Sequence, residues 1–598
     1  MMTKNIKKYL TAGLVCCGIA VAFSSCSDNY MDDLNTDPTM ATTGEPGYQL
    51  TFALLSTYGS FQSMETIRSY VAPYTQMYGG SWNSANQGGA NLYKSDVSQA
   101  LWNVHYQNGI KNLVDAEYNC ANDKALLGAI RLHKVYLFNI LTDVYGDIPV
   151  KQAGKAKLEK IITPEYDKQE DIYNYLFDEI DASIELFRQD LNSKTLKKAD
   201  VTSLGGDVNM WIRYANSLKM RLAMRISDVA SGLAEKKFKE AMENEGALEP
   251  TENSYVKYIH EPFTFESSND DKDFRVNALS EILYGQDKTS PTGFGMTLYD
   301  YLRDENDPRL HRYCRFLNDN FRDNTDPSVG REDFTEEVLA YEYDDNKKTL
   351  GVQMVPACWA WYDSDNNFPW PDAKCVTSTD HYKKFIEGRE KDVVADYYYK
   401  TVRGSVATEY VMPETPGMLV SGAEVCFLKA EAVVKGWING DANEYYQRGI
   451  EVALGVVHNK VYAQANNLAN DYKIISDDEI TTYLANHTLD DNPEKAKEQI
   501  NTQAWFLHFA NPLEAWANLR RSDYPKLYER TQFGKGQNGY QDLENNMDQP
   551  VRMFYPEEEF NYNKQNYQDA IDRMGGFSWH KRMWWDTKEQ NYKAWEKK

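Results

Sequence analysis

The chain has 598 residues, of which 42% are hydrophobic and 26% charged, so it has enough apolar material to bury a core and is neither disordered nor collagen-like. Its 65 basic and 89 acidic residues give a formal net charge of −24, and no basic stripe crosses the body, so we expect no nucleic-acid partner. The 42 Tyr, 13 Trp and 23 Phe supply many flat rings, and those with a polar tip or edge suit wet binding surfaces.

The first 25 residues have the pattern of an export signal. A positive segment with three lysines precedes 14 mostly apolar residues at 10–23, a stretch too short to span a bilayer but typical of a signal-peptide core. Two serines then lead into Cys26, the arrangement that lipoprotein signal peptidase cuts after the cysteine has been diacylated. We therefore predict a signal peptide over residues 1–25 and a lipid anchor on Cys26. Ordinary cleavage beside an incidental cysteine is the alternative, because Phe23 stands where a stricter lipobox has Leu.

Residues 26–45 are polar, acidic and rich in turn formers, so we predict a tether that leads to a single folded body at residues 46–598. No stretch of that body reaches the ~18 uncharged apolar residues of a membrane-spanning helix. We expect the acyl chains on Cys26 to hold the protein at a membrane.

Most of the body has the periodicity of amphipathic helices. Apolar residues recur at spacings of three and four over residues 125–144, which predicts a helix that Gly146 and Pro149 end. A second helix is predicted over residues 169–187, and the two read as a helical hairpin. Further helices are predicted in the ranges 205–227, 421–454 and 498–525, the last as far as Pro525. The middle one of these ranges reads as two helices joined by a glycine-bearing turn, with small residues at tetratricopeptide-like spacing.

Residues 228–410 interrupt this pattern. They are rich in Pro, Gly, Asp and Tyr, and they include short β-prone pieces such as YVKYI at 255–259 and DVVADYYYKTV at 392–402. We predict a loop-rich lobe with short strands, mounted on a helical scaffold.

Motifs along the chain point to one family. In chain order they are NTDP at 35–38, YGDIP at 145–149, GGDVNMWIRYANSLKMRLAMRI at 205–226, DPR at 307–309, AEVCFLKAEAVVKG at 423–436, EAWANLRRSDYP at 514–525, RMFYPEEEFNYN at 552–563 and MWWD at 583–586. With these motifs in this order, nearly the whole mature chain resembles the SusD/RagB family of outer-membrane nutrient-binding lipoproteins. The run at 205–226 resembles the SusD-like 2 branch.

This resemblance implies a mostly α-helical body with four tetratricopeptide-like helix pairs and a variable, loop-rich half that binds ligand. It also implies a lipoprotein at the surface of the outer membrane, which sits as a lid over a SusC-like TonB-dependent transporter and captures oligosaccharides, or peptides in some members, without catalysis. The matched motifs are mainly scaffold, so they transfer no ligand residue to this chain. Trp211 and Trp516 lie in these motifs, on buried helical periods, and we predict that both pack in the core.

The candidate ligand residues come from the chemistry of sugars. Sugars present C–H faces that pack on aromatic planes, while their hydroxyls need polar partners nearby, so aromatic residues in polar loops are the signal. The best candidate is the segment 358–375, where rings alternate with Asp and Asn. Its candidate ligand residues are Trp359, Trp361, Tyr362, Asp365 and Trp370. The alternative is that these rings pack against the underside of the lobe.

A second candidate is the Gly/Asn/Ser-rich segment around Trp82. Tyr78 and Asn83 are its weaker companions. Packing of Trp82 on helix ends is the alternative interpretation.

We expect no metal or other cofactor. CxxC and HExxH motifs are absent, and the calcium-like spacing of Asp363, Asp365 and Asn367 lacks the glycine and the distal glutamate of a calcium loop. GKGQNG at 534–539 fits GxGxxG but follows a helix, so we predict a loop. Cys358 and Cys375 are either a disulfide or two small buried residues.

The sequence is also compatible with two functions other than that of a binding lipoprotein. A secreted glycoside hydrolase would use paired carboxyl groups across a cleft, and adjacent acids are common in a chain with 89 of them. A helical-repeat adaptor would use its aromatic loops to contact protein. The sequence does not identify the ligand, whether glycan or peptide.

Overall fold

The computed structural model describes residues 44–79, 84, 87–89, 91–120, 122–260, 274–284, 292–318, 333–334, 341–343, 373–375, 402–466, 473–530 and 549–594. Contacts within the chain divide it into two units, Met1–Glu45 and Pro46–Lys598, and every element below belongs to the second. Among the described residues, no helix is both long and apolar enough to span a bilayer.

The N-terminal part of the body is built from helices. They are α1 (Pro46–Gly59), α2 (Phe61–Thr66), α3 (Ala72–Thr75), α4 (Ser95–Ser98), α5 (Ala100–Val104), α6 (Lys111–Asn119), α7 (Lys124–Tyr145), α8 (Ala156–Glu159), α9 (Gln169–Gln189), α10 (Lys194–Ala199), α11 (Val208–Arg225) and α12 (Ser231–Glu240). Two π-helical turns, Ile67–Val71 and His105–Ile110, lie between them.

The long helices α7, α9 and α11 include the predicted hairpin. α7 packs against α9, and α9 packs against α11. The Asp123 side chain begins α7 by accepting a hydrogen bond from the Leu126 amide, and Gly146, with a φ of 90°, ends it. α7 and α9 approach closely at Gly128, where a Cβ would lie only 3.0 Å from the Phe187 ring. The two predicted helices and their pairing are confirmed.

The middle and C-terminal helices continue the scaffold. They are α13 (Ala278–Tyr284), α14 (Met296–Asp304), α15 (Leu310–Tyr313), α16 (Gly422–Val434), α17 (Ala442–Val452), α18 (Ala463–Ala465), α19 (Asp477–Asn486), α20 (Pro493–Leu507), α21 (Pro512–Ser522), α22 (Glu557–Tyr562) and α23 (Lys564–Arg573). The π-helical stretch Ala453–Tyr462 extends α17, and 3₁₀ turns lie at Thr408–Tyr410 and His508–Ala510.

The predicted pair over residues 421–454 is also observed, because α16 packs against α17. α16 in turn packs against α11 and α20, so the scaffold continues from one pair to the next. The region predicted to be helical up to Pro525 holds two helices, α20 and α21. Pro512 is the first residue of α21, a position that needs no intrahelical amide donor, and the Asn511 side chain caps it by accepting from the Glu514 amide.

The strands are short and lie mainly within residues 228–410, the range predicted as a lobe. They are β1 (Tyr78–Gly79), β2 (Asn253–Val256), β3 (Gly293–Phe294), β4 (Cys314–Asn318), β5 (Asp333–Phe334), β6 (Tyr341–Tyr343), β7 (Ala373–Cys375), β8 (Val402–Val406) and β9 (Gly417–Ser421). An antiparallel five-stranded sheet has the order β1-β3-β8-β4-β5, while β2 pairs with β9 and β6 with β7.

The scaffold reaches further along the chain than the sequence suggested. α12 lies inside residues 228–410, the range predicted as loop-rich, and it packs against α11 as a helical pair. Its Ala234 and Phe238, four positions apart, are fully buried, as expected for one face of a helix. The high content of Pro, Gly, Asp and Tyr in the range as a whole concealed this local helical spacing.

The core runs through the helical layers. Trp211 and Trp516 have no exposed surface, as predicted, and the Trp211 indole N–H donates to Asp200 Oδ2 at 2.9 Å. The mostly α-helical, tetratricopeptide-like fold class is confirmed.

Candidate functional site

The residues predicted to bind ligand lie almost entirely outside the described part of the chain. Those outside it are Trp82, Asn83, Trp359, Trp361, Tyr362, Asp365 and Trp370, together with the calcium-like acids and Cys358. The structure does describe the strands from which these segments leave.

The segment 319–401 begins and ends on one pair of neighbouring strands. β4 and β8 are antiparallel and in register from Cys314 opposite Val406 to Asn318 opposite Val402. We call this pair of strands the stem. The chain therefore leaves the stem and returns to it at directly paired backbone positions. Within the segment, Cys375 pairs with Tyr341 in the ribbon formed by β7 and β6.

The segment around Trp82 leaves the same sheet in a different direction. β1 is antiparallel to β3, and β3 is antiparallel to β8, so β1 and β8 run the same way. β8 starts at the end of the sheet where the segment 319–401 returns, whereas β1 finishes at the opposite end. The two predicted ring-bearing segments thus leave the sheet at opposite ends.

A buried cluster of aromatic rings packs around Phe509, beside this sheet. Phe509 lies in the 3₁₀ turn after α20, and its ring contacts those of Tyr78, Phe294, Tyr313 and Tyr410 at centroid distances of 4.7 to 5.5 Å. All five rings are buried. The cluster joins the sheet to the scaffold.

Tyr78 is a packing residue of that cluster. Its side chain has no exposed surface, its ring stacks on Phe509, and its hydroxyl donates to the Phe509 carbonyl. Burial raises the pKa of its hydroxyl well above the usual value. The predicted ligand role of Tyr78 is corrected, because β1 turns this ring toward the core.

Charged side chains form a second buried centre, within the scaffold. Arg221 donates from Nε and Nη2 to the two carboxylate oxygens of Glu424 at 2.6 and 2.7 Å, and Arg225 donates to Glu514 at 2.6 Å. Arg225 also lies 3.3 Å from Asp143. These groups join α7, α11, α16 and α21, and each is at least nine-tenths buried.

Glu424, His508 and Glu514 in this centre are close enough to hold a metal ion. Both carboxylates are already paired with guanidinium groups, whose two positive charges would repel a dication. Burial raises the pKa of Glu514, but Arg225 and Arg221 outweigh it and lower that pKa to about 2, so the carboxylate is ionised and compensated. The donor set therefore fits a structural ionic centre better than a metal site.

The clefts on the described part of the surface include the following three. One of about 700 Å³ is mostly apolar and lies around Tyr106 and Ile162, and one of about 620 Å³ is lined by charged groups between α14 and α19. The third, of about 440 Å³, lies where the N-terminus of α9 meets the chain after α7 and the C-terminal segment. It is lined by Gly146, Asp147, Lys168, Gln169, Glu170, Arg573, Met574, Arg582, Met583 and Trp584, and we call it the Trp584 pocket.

Comparison with known proteins identifies the family. A family profile described as "Starch-binding associating with outer membrane" (SusD-like 2) matches residues 46–359, and one described as "Susd and RagB outer membrane lipoprotein" matches residues 368–586. A solved structure titled "Bacteroidetes AC2a SusD-like" is 34% identical, with a TM-score of 0.79 over 91% of this chain and 100% of that one. The chain belongs to the SusD/RagB family.

Two further structures share the SusD/RagB fold. One described as a chitin-binding protein is 27% identical, with a TM-score of 0.68 over 91% of this chain and 100% of that chain. A SusD homolog from Bacteroides uniformis is 21% identical, with a TM-score of 0.61 over 90% of this chain and 100% of that chain. Comparison with curated proteins gives no match. The predicted family and its SusD-like 2 branch are confirmed, and the family is one of outer-membrane lipoproteins.

The Trp584 pocket of this SusD/RagB protein was not predicted from the sequence. Asp147 and Trp584 lie in the motifs YGDIP and MWWD, which supported the family resemblance but did not indicate a binding site. One signal was present in the pair of adjacent tryptophans, of which Trp585 is buried and Trp584 is half-buried in the structure. Arg573, from the end of α23, gave no signal, because its partner Asp147 is distant in sequence.

Proposed function

We propose that this SusD/RagB protein is a surface lipoprotein, anchored through Cys26, that binds nutrient oligosaccharide without cleaving it. It passes the glycan to a SusC-like TonB-dependent transporter in the outer membrane. Family membership supports this proposal, as does the likeness to a chitin-binding structure at 27% identity.

The observation that carries the proposal is the stem. β4 and β8 join the segment 319–401 to a sheet whose rings pack on Phe509 in the scaffold. That segment contains the stretch 358–375, in which aromatic residues alternate with Asp and Asn. Binding residues are commonly carried on loops that a packed scaffold positions, so the arrangement favours ligand capture.

Within the segment, Trp359, Trp361, Tyr362 and Trp370 supply rings for sugar C–H faces, and Asp365 accepts hydrogen bonds from hydroxyls. Trp82 and Asn83 contribute from the segment that leaves the other end of the sheet. Because the two segments leave the sheet at opposite ends, a glycan that contacts both must span the distance between those ends. We therefore expect oligosaccharides to bind more tightly than monosaccharides.

The test is a titration of the detergent-solubilised full chain with neutral oligosaccharides, with chito- and malto-oligosaccharides as the first probes. Tryptophan fluorescence reports binding, and chromatography of the same samples reports cleavage. We expect saturable binding, an affinity at least tenfold lower in Trp361→Ala and Trp370→Ala, and intact glycan afterwards. Tyr118→Ala, which removes an exposed ring on α6, is the matched control.

Two outcomes contradict the proposal. Unchanged affinity in both tryptophan variants would remove the ring-bearing segment from the site, and release of shortened glycan would make the protein a glycoside hydrolase. The anchor and the partner are tested separately. Cys26→Ser should abolish incorporation of radiolabelled fatty acid, and wild-type protein should co-purify with a TonB-dependent transporter from detergent-solubilised outer membranes.

A further inference from the structure

The Trp584 pocket has the volume and wall chemistry of a small-ligand site. Its volume of about 440 Å³ falls within the range of roughly 300 to 1,000 Å³ that is usual for such sites. Trp584 is half-buried and lines the pocket together with Met574 and Met583, so the wall includes apolar surface. The wall also includes charged side chains and the first residues of α9.

Salt bridges fix the donor groups of this pocket in place. Arg573 Nε donates to Asp147 Oδ2 at 3.0 Å, and its Nη2 donates to the Tyr166 carbonyl at 2.9 Å. Arg582 Nη1 donates to Asp586 Oδ1 at 3.1 Å. Within the described residues, Arg573 Nη1 and Arg582 Nη2 have no hydrogen-bond partner. The pocket therefore offers guanidinium N–H groups that are already oriented, which lowers the entropic cost of binding.

The charges of the walls nearly cancel. Arg573 and Arg582 are each paired with a carboxylate, and exposed Lys168 and Glu170 carry opposite charges without a partner among the described residues. A strongly charged ligand would meet a group of its own sign in such a pocket. An uncharged ligand with many hydroxyls would find donors in Lys168 and the arginines and an acceptor in Glu170.

We propose that the Trp584 pocket binds a neutral sugar unit, with the C–H face of the ring on Trp584 and the hydroxyls on Glu170, Lys168 and the two arginines. This inference rests on the proposed function, since it takes the same ligand class. It adds a second glycan site on the scaffold, built from α9 and the C-terminal segment and separate in sequence from the segment 319–401. Two sites on one chain raise the effective concentration of a long glycan at each of them.

The experiment counts sites with isothermal titration calorimetry on the detergent-solubilised full chain. A disaccharide, such as chitobiose or maltose, reports each site singly. We expect two sites in the wild type and one in Trp584→Ala. Glu170→Gln should bind the disaccharide at this pocket five- to tenfold more weakly, since it exchanges a charged acceptor for a neutral one. Asp178→Asn, on the exposed face of α9 and outside the pocket, should match the wild type.

The variants also separate the two proposals. Combining Trp361→Ala with Trp370→Ala should leave one site, which Glu170→Gln then weakens. The pocket proposal is wrong, and the proposed function stands, if Trp584→Ala and Glu170→Gln change neither the number of sites nor the affinity while Trp361→Ala and Trp370→Ala lower the affinity. If the wild type binds no glycan of the panel, the proposed function itself is wrong.

Two further controls keep the inference testable. Glu170 is exposed, so Glu170→Gln should retain the fold even where Trp584→Ala unfolds, and Lys168→Met provides a second exposed wall variant. Inorganic sulfate is the competitor for the alternative occupant, because helix N-termini attract anions. Displacement of the disaccharide by millimolar sulfate, with a sulfate affinity that rises in Glu170→Gln, would make the pocket an anion site and overturn the inference.

Discussion

The helical scaffold and the segment carried by the stem differ in how they use polar residues. In the scaffold, charged side chains such as Arg221 and Arg521 are buried and held in two-point contacts with Glu424 and Glu431. In the sequence of the segment 319–401, Asp and Asn instead alternate with aromatic residues, and the strands β4 and β8 flank this segment. The same residue types therefore stabilise the fold in one region and are proposed to bind ligand in the other. Substitutions in the scaffold should lower the free energy of unfolding, whereas substitutions in the segment should lower glycan affinity.

Removal of one partner from the buried ionic centre should have the largest effect on stability. Arg221→Ala leaves the Glu424 carboxylate buried and uncompensated, which we expect to lower the free energy of unfolding by about 3–5 kcal/mol. Chemical denaturation followed by far-UV circular dichroism measures the change. The control is Arg448→Ala in an exposed pair, where Arg448 lies 2.6 Å from Glu451, with an expected change below about 1 kcal/mol.

Glu431 should make the scaffold sensitive to acid. Burial raises the pKa of Glu431, but Arg521 outweighs this effect and lowers the pKa to about 2. Because a carboxyl group with a lowered folded pKa binds fewer protons in the native state, its contribution is present above the unfolded pKa and is lost as the pH falls.

The expected loss is up to about 3 kcal/mol between pH 5 and pH 2, and denaturation at a series of pH values measures it. Glu431→Gln should be less stable than the wild type at pH 7, but its stability should fall less steeply with acid. Parallel pH profiles for the two proteins would show that Glu431 does not contribute this dependence.

The close contact between α16 and α17 should tolerate no added methyl group. A Cβ at Gly449 would lie 2.5 Å from the ring of Phe427, which is buried, so Gly449→Ala should lower the free energy of unfolding by about 1–3 kcal/mol. Gly232 in α12 is the matched position, since a Cβ added there would meet no atom within 4 Å beyond its chain neighbours and the backbone of its own helix. Gly232→Ala should be neutral or stabilise by up to about 1 kcal/mol through helix propensity. Equal effects at the two glycines would contradict the close-packing interpretation.

Local signals in the sequence account for most of the scaffold. The period of apolar residues placed α7 and α9, and the stop at Gly146 matched its left-handed φ. The region ending at Pro525 was predicted as one helical stretch because its apolar period continues across Pro512. In the structure a new helix begins at Pro512, in line with the preference of proline for the first turn of a helix.

Long-range pairing set the limit of this reasoning. Arg221 and Glu424 are 203 positions apart, and Arg225 and Glu514 are 289 apart, so no spacing rule links them. The same limit applies to the candidate site. Tyr78 was predicted from its polar neighbours, but a two-residue strand gives no alternation from which its direction can be read, and its ring faces Phe509.

The smallest effect on stability should come from substitutions of the proposed ligand rings. A ring reserved for ligand contributes little packing, so Trp361→Ala should change the free energy of unfolding by no more than about 0.5 kcal/mol while lowering glycan affinity at least tenfold. Trp516→Ala, in the core, should do the reverse, with a loss of about 3–5 kcal/mol. Unfolding curves and titrations of both variants test this contrast. A large loss of stability in Trp361→Ala would mean that this ring packs beneath the lobe, and glycan recognition would then have to depend on other residues, with Trp584 the first to examine.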